Sequence, residues 1–314
     1  MLSRTANDLF WMGRYVERAE NTARMLDVTW RMSLLPSGDR GAGDWGAALQ
    51  IGGGEDVFMS RYGTPNARNI IQYMVLDGDN PSSIYSVFRQ ARENARATRG
   101  TTTTELWQSL NDTWLEVNAL DYDKIAKRGF SRFFDWVKER SHLFRGVSTG
   151  TMLRDDAYFF QRLGTFLERA DNTARLLDVK YHILLPAGEP VGGAIDYYQW
   201  GALLRSVSAF SAYKRRFHDA IWPQRVAELL ILHGDMPRSL HSCYRELDGL
   251  FVALRELYRR DFECFRLAGE TYSRLRYGRA ESIFQRGLHE YLAEFLDRNA
   301  DLGAQISADF MLGN

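Results

Sequence analysis

Residues 17–28 read ERAENTARMLDV, and residues 168–179 read ERADNTARLLDV. Ten of the twelve aligned positions are identical, at a constant offset of 151 residues. A self-match of this length indicates an internal repeat, which has to be recognised before secondary structure is assigned. The two stretches therefore define corresponding positions in two halves of the chain.

The match extends outward from both stretches, with small insertions and deletions. Further corresponding positions are Gly13 with Gly164, Leu34 to Pro36 with Leu184 to Pro186, Leu76 to Ser83 with Leu232 to Ser239, and Gly129 with Gly287. This spacing predicts two copies of a unit of roughly 155 residues. The copies are residues 1–151 and 152–314, forming either two domains or one continuous domain.

Each copy has the apolar period of helices. From Thr5 to Leu35 the apolar side chains fall on one arc, and Pro36 ends the pattern. The other predicted long helices are Asp155 to Leu185, Asp123 to about Gly150, and Arg279 to Met311. Pro81 and Pro237 are predicted at first helical positions, the former behind Asn80 as N-cap. We expect an all-α fold, with two pseudo-symmetric helical repeats packed into one elongated helical bundle.

Composition excludes several classes of protein. The chain has 40 Lys and Arg residues and 40 Asp and Glu residues, so its formal net charge is zero. A neutral chain has no overall excess of positive charge with which to attract nucleic acid. Two cysteines exclude a disulfide-rich scaffold. Charges at Arg4, Asp8 and Arg14 interrupt any signal-peptide stretch, and no apolar run is long enough to span a bilayer. We expect a soluble, cytoplasmic protein that binds neither nucleic acid nor membrane.

A charged helix face is the most informative feature of the repeat. Its candidate residues for a binding site or a buried charge network are Arg14, Glu17, Arg18, Asn21, Arg24, Glu168, Arg169, Asn172 and Arg175. One interpretation is a solvated face with Glu/Arg pairs at helical spacing. The other interpretation is a partly buried charged face, because the small residues Ala19 and Ala23 permit another helix to approach closely. Buried charges must pair with each other or bind a ligand.

A second helix, which contains ARENAR at residues 91–96, has its own cluster. Its candidate anion-binding residues are Ser82, Ser83, Arg89, Arg92, Glu93 and Arg96. A helix N-terminus with hydroxyl groups suits phosphate or carboxylate, and the alternative is an ordinary capped helix. The densest basic cluster, Tyr213 to Arg216, is interpreted as a solvated helix end. We recognise no metal-ligand set and no cofactor fingerprint, and therefore predict no metal and no cofactor.

Three segments resemble the bacterial Alpha-E family: GRYVERAENTARMLD at 13–27, DNPSSIYSVFRQARENAR at 79–96, and TMLRDDAYFFQRLGTFLERADNTARLLD at 151–178. That family is named for an all-helical domain with a Glu-Arg motif, to which Glu17-Arg18 and Glu168-Arg169 correspond. Family members are typically encoded beside, or fused to, a circularly permuted ATP-grasp ligase and a transglutaminase-like peptidase. The resemblance implies a system that makes or modifies a peptide through amide bonds, with this chain acting in trans.

Two classes of function remain. The favoured class is a non-catalytic helical partner that binds the ligase or presents a peptide to it, because no nucleophile–base pair is evident. The alternative is an enzyme or ligand-binding protein with a polar pocket between helices. There Glu17 or Glu168 would act as acid or base, and Arg24, Arg92 or Arg175 would bind a carboxylate or phosphate. The sequence leaves the substrate and the oligomeric state open, including a homo-oligomer.

Overall fold

The computed structural model describes residues 1–34, 45–182 and 193–311. These residues form helices and the turns between them, with no strand in the described ranges, which confirms the all-α prediction for them. The predicted ends of two helices, at Pro36 and Pro186, lie outside the described residues. No helix in the described ranges is long and apolar enough to cross a membrane.

The chain divides into two compact units, Met1–Thr165 and Phe166–Asn314. The helices that begin in the first unit are α1 (Ser3–Ser33), α2 (Trp45–Gly52), α3 (Glu55–Tyr62), α4 (Ala67–Ile71), α5 (Ile84–Ala97), α6 (Thr104–Asn118), α7 (Tyr122–Arg128), α8 (Phe130–Thr151) and α9 (Asp156–His182), with a π-helical turn at Gln72–Leu76. The second unit continues with α10 (Ala194–Ser206), α11 (Phe210–Phe217), α12 (Pro223–Ile231), α13 (Leu240–Tyr258), α14 (Glu263–Tyr277), α15 (Ala280–Arg286) and α16 (Leu288–Phe310). The unit boundary therefore falls inside α9, whereas the sequence-repeat boundary after residue 151 stays a prediction.

The core of the first unit forms where α1 packs against α5 and α8, and where α6 covers both. Leu26 from α1, Phe88 from α5, and Phe133 with Phe134 from α8 are almost completely buried. Burial of each such side chain contributes about 1.5–3 kcal/mol relative to exposure. This apolar contact fixes α8 beside α1 and so positions the polar residues that the two helices share.

Two predicted long helices are wrong because a glycine interrupts each one. Asp123 to Gly150 is α7 followed by α8, and Gly129 between them has φ 93°. Arg279 to Met311 is α15 followed by α16, and Gly287 between them has φ 102°. An α-helix cannot continue through a positive φ, which glycine adopts without a side-chain clash. The apolar period runs through both breaks, so periodicity alone does not reveal them.

The predicted proline starts are also wrong, because both helices begin three residues later. Ser83 is the N-cap of α5: its Oγ accepts from Ser86 N at 3.1 Å and donates to Asp77 O at 2.7 Å. Ser239 caps α13 in the same way, accepting from the Ser242 amide at 2.9 Å and donating to the His233 carbonyl at 2.7 Å. The Ser83 hydroxyl satisfies both an amide and a carbonyl as the cap of α5, while the buried Asn80 side chain donates to Tyr73 O and accepts from Ser82 N instead.

Candidate functional site

The polar row of α1 faces α8 and is buried. Glu17, Glu20 and Asp27 recur at intervals of three and seven residues, which places them on one side of the helix. Their exposed fractions are 1%, 0% and 6%. The interpretation as a solvated face is therefore wrong for these three carboxylates, and the small residues Ala19 and Ala23, both fully buried, are consistent with close packing around them.

Arginines compensate the two buried glutamates. Arg145 of α8 donates to Glu17 Oε2 at 3.1 Å and also bonds Glu20. Arg24 donates from Nε to Glu20 Oε1 at 2.8 Å, one helical turn along α1. Both arginine side chains are themselves mostly buried, with 18% and 12% exposed. Charge-assisted hydrogen bonds of this kind offset the desolvation that burial of a carboxylate costs.

The same interface continues toward the end of α1. Lys138 of α8 donates to Asp27 Oδ2 at 2.9 Å, and Arg31 donates to Asp27 Oδ1 at 2.9 Å. We call Glu17, Glu20, Asp27, Lys138 and Arg145 the α1–α8 charge seam. Its acids come from α1 and its cations from α8, so it fixes the alignment of one helix along the other.

His142 lies at the solvent edge of this seam. Its Nε2 is 3.5 Å from Glu20 Oε1 and 3.4 Å from an Arg24 guanidinium nitrogen, and 54% of its side chain is exposed. An exposed imidazole of α8 thus lies beside the buried Glu20 carboxylate. Sequence reasoning missed His142, Lys138 and Arg145, although positions 138, 142 and 145 share one face of a helix.

The other predicted residues of α1 have different surroundings. The Arg14 guanidinium lies 4.7 Å from the Trp11 ring centroid, a cation–π arrangement. Asn21 is buried at 4% exposure, and Arg18 is half-buried. These three residues lie on the same helix as Glu17.

In the second unit, Glu168 and Arg169 are both buried, at 6% and 8% exposure. The Arg169 guanidinium lies 5.3 Å from the Phe166 ring centroid. Arg175 instead is exposed and forms a two-point pair with Asp171, at 2.6 and 3.3 Å. The glutamate of the Glu-Arg dipeptide is thus buried in both units. The arginine seven residues after each glutamate is mostly buried only in the first unit.

The predicted anion-binding helix, α5, uses its polar groups in local packing. Ser83 is the buried N-cap of the helix, and the Ser82 amide donates a hydrogen bond to Asn80 Oδ1. Arg92 lies over the Trp107 ring of α6 at 5.4 Å. Arg96 pairs with Glu93 at 2.8 Å, and Arg89 lies 5.8 Å from the Tyr85 centroid. These contacts favour the ordinary capped helix, and anion binding at this N-terminus stays a prediction.

A G-x-S-x-G pattern occurs at residues 146–150, with the spacing of a hydrolase nucleophile. It lies inside α8 rather than at a strand-to-helix turn. Ser148 is buried at 1% exposure and donates to Gln161 Oε1 at 2.7 Å, so its hydroxyl is not presented to a substrate. Nor do the described residues contain any group of three His, Cys, Asp or Glu side chains that could hold a metal ion.

Asp178 and His289 form a pH-sensitive contact in the second unit. His289 Nδ1 is 2.6 Å from Asp178 Oδ1, and this hydrogen bond raises the pKa of His289 above its ordinary value. A raised folded-state pKa stabilises the fold fully below the unfolded pKa of about 6.5, and this stabilisation is lost as pH rises through the folded pKa.

We expect Asp178→Asn to return the His289 pKa toward its ordinary value, as read from the imidazole proton shifts in an NMR titration. Glu290→Gln is the matched control, because Glu290 is the smallest of the causes of the shift. An equal decrease of the pKa in both variants would contradict the role given to the hydrogen bond.

The family model of Alpha-E, described as a predicted alpha-helical domain with a conserved ER motif, matches residues 1–311. The chain belongs to the Alpha-E family. The two Glu-Arg dipeptides that resemble the motif in this Alpha-E chain are 17–18 and 168–169, and both glutamates are buried. No curated protein and no solved structure matches the sequence.

Proposed function

We propose that this Alpha-E protein is a non-catalytic helical accessory protein of a cytoplasmic system that makes or modifies peptides through amide bonds. It would work with an ATP-grasp ligase and a transglutaminase-like peptidase. The observation that carries the proposal is the α1–α8 charge seam, in which Arg145 bonds both Glu17 and Glu20. Carboxylates that are held by arginines of their own unit favour a role in aligning helices over acid–base chemistry.

We further propose that the two halves are diverged copies of one helical unit. Ser141 of α8 donates to Val16 O at 3.2 Å, and Asn299 of α16 donates to Leu167 O at 3.3 Å. Positions 16 and 167 are related by the same offset of 151 as the repeated sequence. The matching serine caps of α5 and α13 also support the proposal, because they recur at sequence positions that the alignment pairs.

The proposal is tested by reconstitution. We expect affinity purification of the full chain from its host to recover a protein with an ATP-grasp or transglutaminase-like fold, identified by mass spectrometry. We also expect the purified chain to raise the rate at which the recovered ligase forms amide bonds with ATP. A ligase rate that does not change over a range of Alpha-E concentrations would contradict the accessory role.

The second candidate function is an enzyme or ligand-binding protein with a polar Glu/Arg pocket for a carboxylate- or phosphate-bearing substrate. The position of exposed His142 beside buried Glu20 is what favours it. Glu17→Gln discriminates the two functions in the reconstituted system. The accessory function requires a loss of stability while the activity per folded molecule is retained. A pocket requires nearly unchanged stability together with a loss of activity.

A further inference from the structure

The second unit contains an open cleft of approximately 630 Å³. It lies beside α11, between the end of α12 and the turn that precedes α13. Its lining includes Arg215, Arg216 and Arg238, the hydroxyl group of Ser211, and an apolar wall formed by Leu229 and Met236. The volume falls within the range of small-molecule sites, which is about 300–1,000 Å³.

The first unit shows what an arginine at the corresponding place does when a carboxylate is supplied. Arg61, in the last turn of α3, donates to Asp77 Oδ2 at 3.1 Å and to Asp79 Oδ2 at 2.7 Å. Tyr62 donates its hydroxyl to Asp77 Oδ2 at 2.9 Å. Burial and this hydrogen bond raise the pKa of Tyr62 to about 12. Here the protein provides its own anion for the arginine.

The corresponding place in the second unit has lost one of these two carboxylates, that of Asp77, and keeps the other as Asp235. His233 stands where the first unit has Asp77, and the two backbone carbonyls accept the same bond from the following cap serine. The helices α3 and α11 both have eight residues, with fully buried Phe58 and Tyr213 at the fourth position. Counted from these residues, Arg216 corresponds to Arg61.

Two neighbouring replacements also favour binding of an external anion in the second unit. Phe217 stands where the first unit has Tyr62 and lacks the hydroxyl group, and Arg215 stands where it has Ser60. The second unit has therefore kept one arginine and added another. It has lost the Asp77 carboxylate and the Tyr62 hydroxyl group, while Asp235 stands in the place of Asp79.

This loss bears on Arg215 and Arg216, both of which are exposed. Among the residues that the structure describes, Arg215 and Arg216 form no ion pair, and His233 Nδ1 has no hydrogen-bond partner. The one carboxylate of the lining, Asp235, is 89% exposed and lies 3.9 Å from Arg245, outside the cleft. The cleft is thus a positively charged recess with an apolar wall.

We propose that this cleft binds a phosphorylated small molecule. Arg215 and Arg216 both line the cleft, and their guanidinium groups offer several N–H donors, which favours a phosphate monoester dianion over a carboxylate. The apolar wall favours an organic body over free phosphate. The proposal is independent of the accessory function, since none of its residues belongs to the α1–α8 charge seam.

Isothermal titration calorimetry of the full chain tests the proposal with three probes: phenyl phosphate, benzoate and inorganic phosphate. Phenyl phosphate is expected to bind at least tenfold more tightly than either of the others, and more weakly at high salt. Equal affinities for benzoate and phenyl phosphate would overturn the choice of phosphate. Absence of heat with all three probes would overturn the site.

Three variants locate the binding. Arg216→Gln is expected to weaken phenyl phosphate binding at least tenfold. Lys214→Gln is the matched control: it removes one positive charge from the same helical turn, but Lys214 lies outside the lining and donates to Asp219 O. An equal loss in both would show non-specific attraction and would overturn the site.

His233→Asp restores the carboxylate that the first unit has at this place. It is expected to abolish phenyl phosphate binding and to raise the thermal unfolding midpoint, because the new carboxylate pairs with Arg216. A purely structural defect would lower that midpoint. Retained binding in a folded His233→Asp protein would overturn the proposal, and the Arg216 and Lys214 variants provide the test if this variant does not fold.

Discussion

Arg145→Met is expected to lower the free energy of unfolding by about 3–5 kcal/mol, the usual cost of removing one partner from a buried ion pair. Arg145 contacts both Glu17 and Glu20, and neither carboxylate is more than 1% exposed. Methionine keeps much of the arginine's length but donates no hydrogen bond, so both carboxylates lose the cation that α8 provides, while Arg24 still bonds Glu20. Equilibrium urea denaturation followed by circular dichroism measures the change.

The control is Arg132→Met. Arg132 is also an arginine of α8 but is exposed, so its replacement should change stability by no more than about 0.5 kcal/mol. In the double variant Arg145→Met, Glu20→Gln, the loss should be smaller than the sum of the two single losses, because both changes remove the same Arg145–Glu20 contact. Equal costs for Arg145→Met and Arg132→Met would refute the structural role of the α1–α8 charge seam.

The expected loss does not mean that the seam makes the protein more stable than an apolar interface would. Replacing a whole buried ion pair by well-packed apolar residues is often neutral or stabilising. The ion pairs of Arg145 and Lys138 select one alignment of α8 along α1. Sliding α8 by one helical turn would separate each cation from its acid. We therefore infer that the seam sets helix registry while the surrounding apolar core stabilises the fold.

Local signals in the sequence were sufficient for the all-α class and for the start of α1, which lies two residues from the predicted Thr5. The partners of Glu17 could not be predicted in this way. Arg145 is 128 residues away, and helical periodicity shows which face is polar without showing which helix covers it. Gly129 and Ser83 were misjudged for a related reason, because a backbone φ and a buried hydroxyl bond depend on packing that the local pattern does not contain.

The second large effect is expected where α1 crosses the start of α9, within the first unit. A Cβ added to Gly13 would meet the backbone of Gln161 and Thr165, and one added to Gly164 would meet the backbone of Phe10 and Arg14. These obstacles are main-chain atoms of helices, which cannot move aside as a flexible side-chain end can. The two helices are therefore packed backbone to backbone at this point, and glycine is what permits it.

Gly13→Ala should consequently lower the stability of the protein, although Gly→Ala inside a helix usually raises it. Inside a helix, Gly→Ala normally stabilises by about 0.5–1 kcal/mol. At the crossing, overpacking costs about 1–3 kcal/mol or more, and it exceeds that gain because whole helices must separate. Gly146→Ala in α8 is the matched control, since no atom lies within 4 Å of its added Cβ, and it should raise stability.

The double variant Gly13→Ala, Gly164→Ala separates a local clash from a shared crossing. If both glycines serve one close approach, the first alanine pushes the helices apart and the second enters space that is already open. The double variant should then lose less than the sum of the two single losses in urea denaturation. Strictly additive losses would mean that each alanine strains its own surroundings. An increase in stability for Gly13→Ala, like that expected for Gly146→Ala, would show that the helices do not approach this closely in solution.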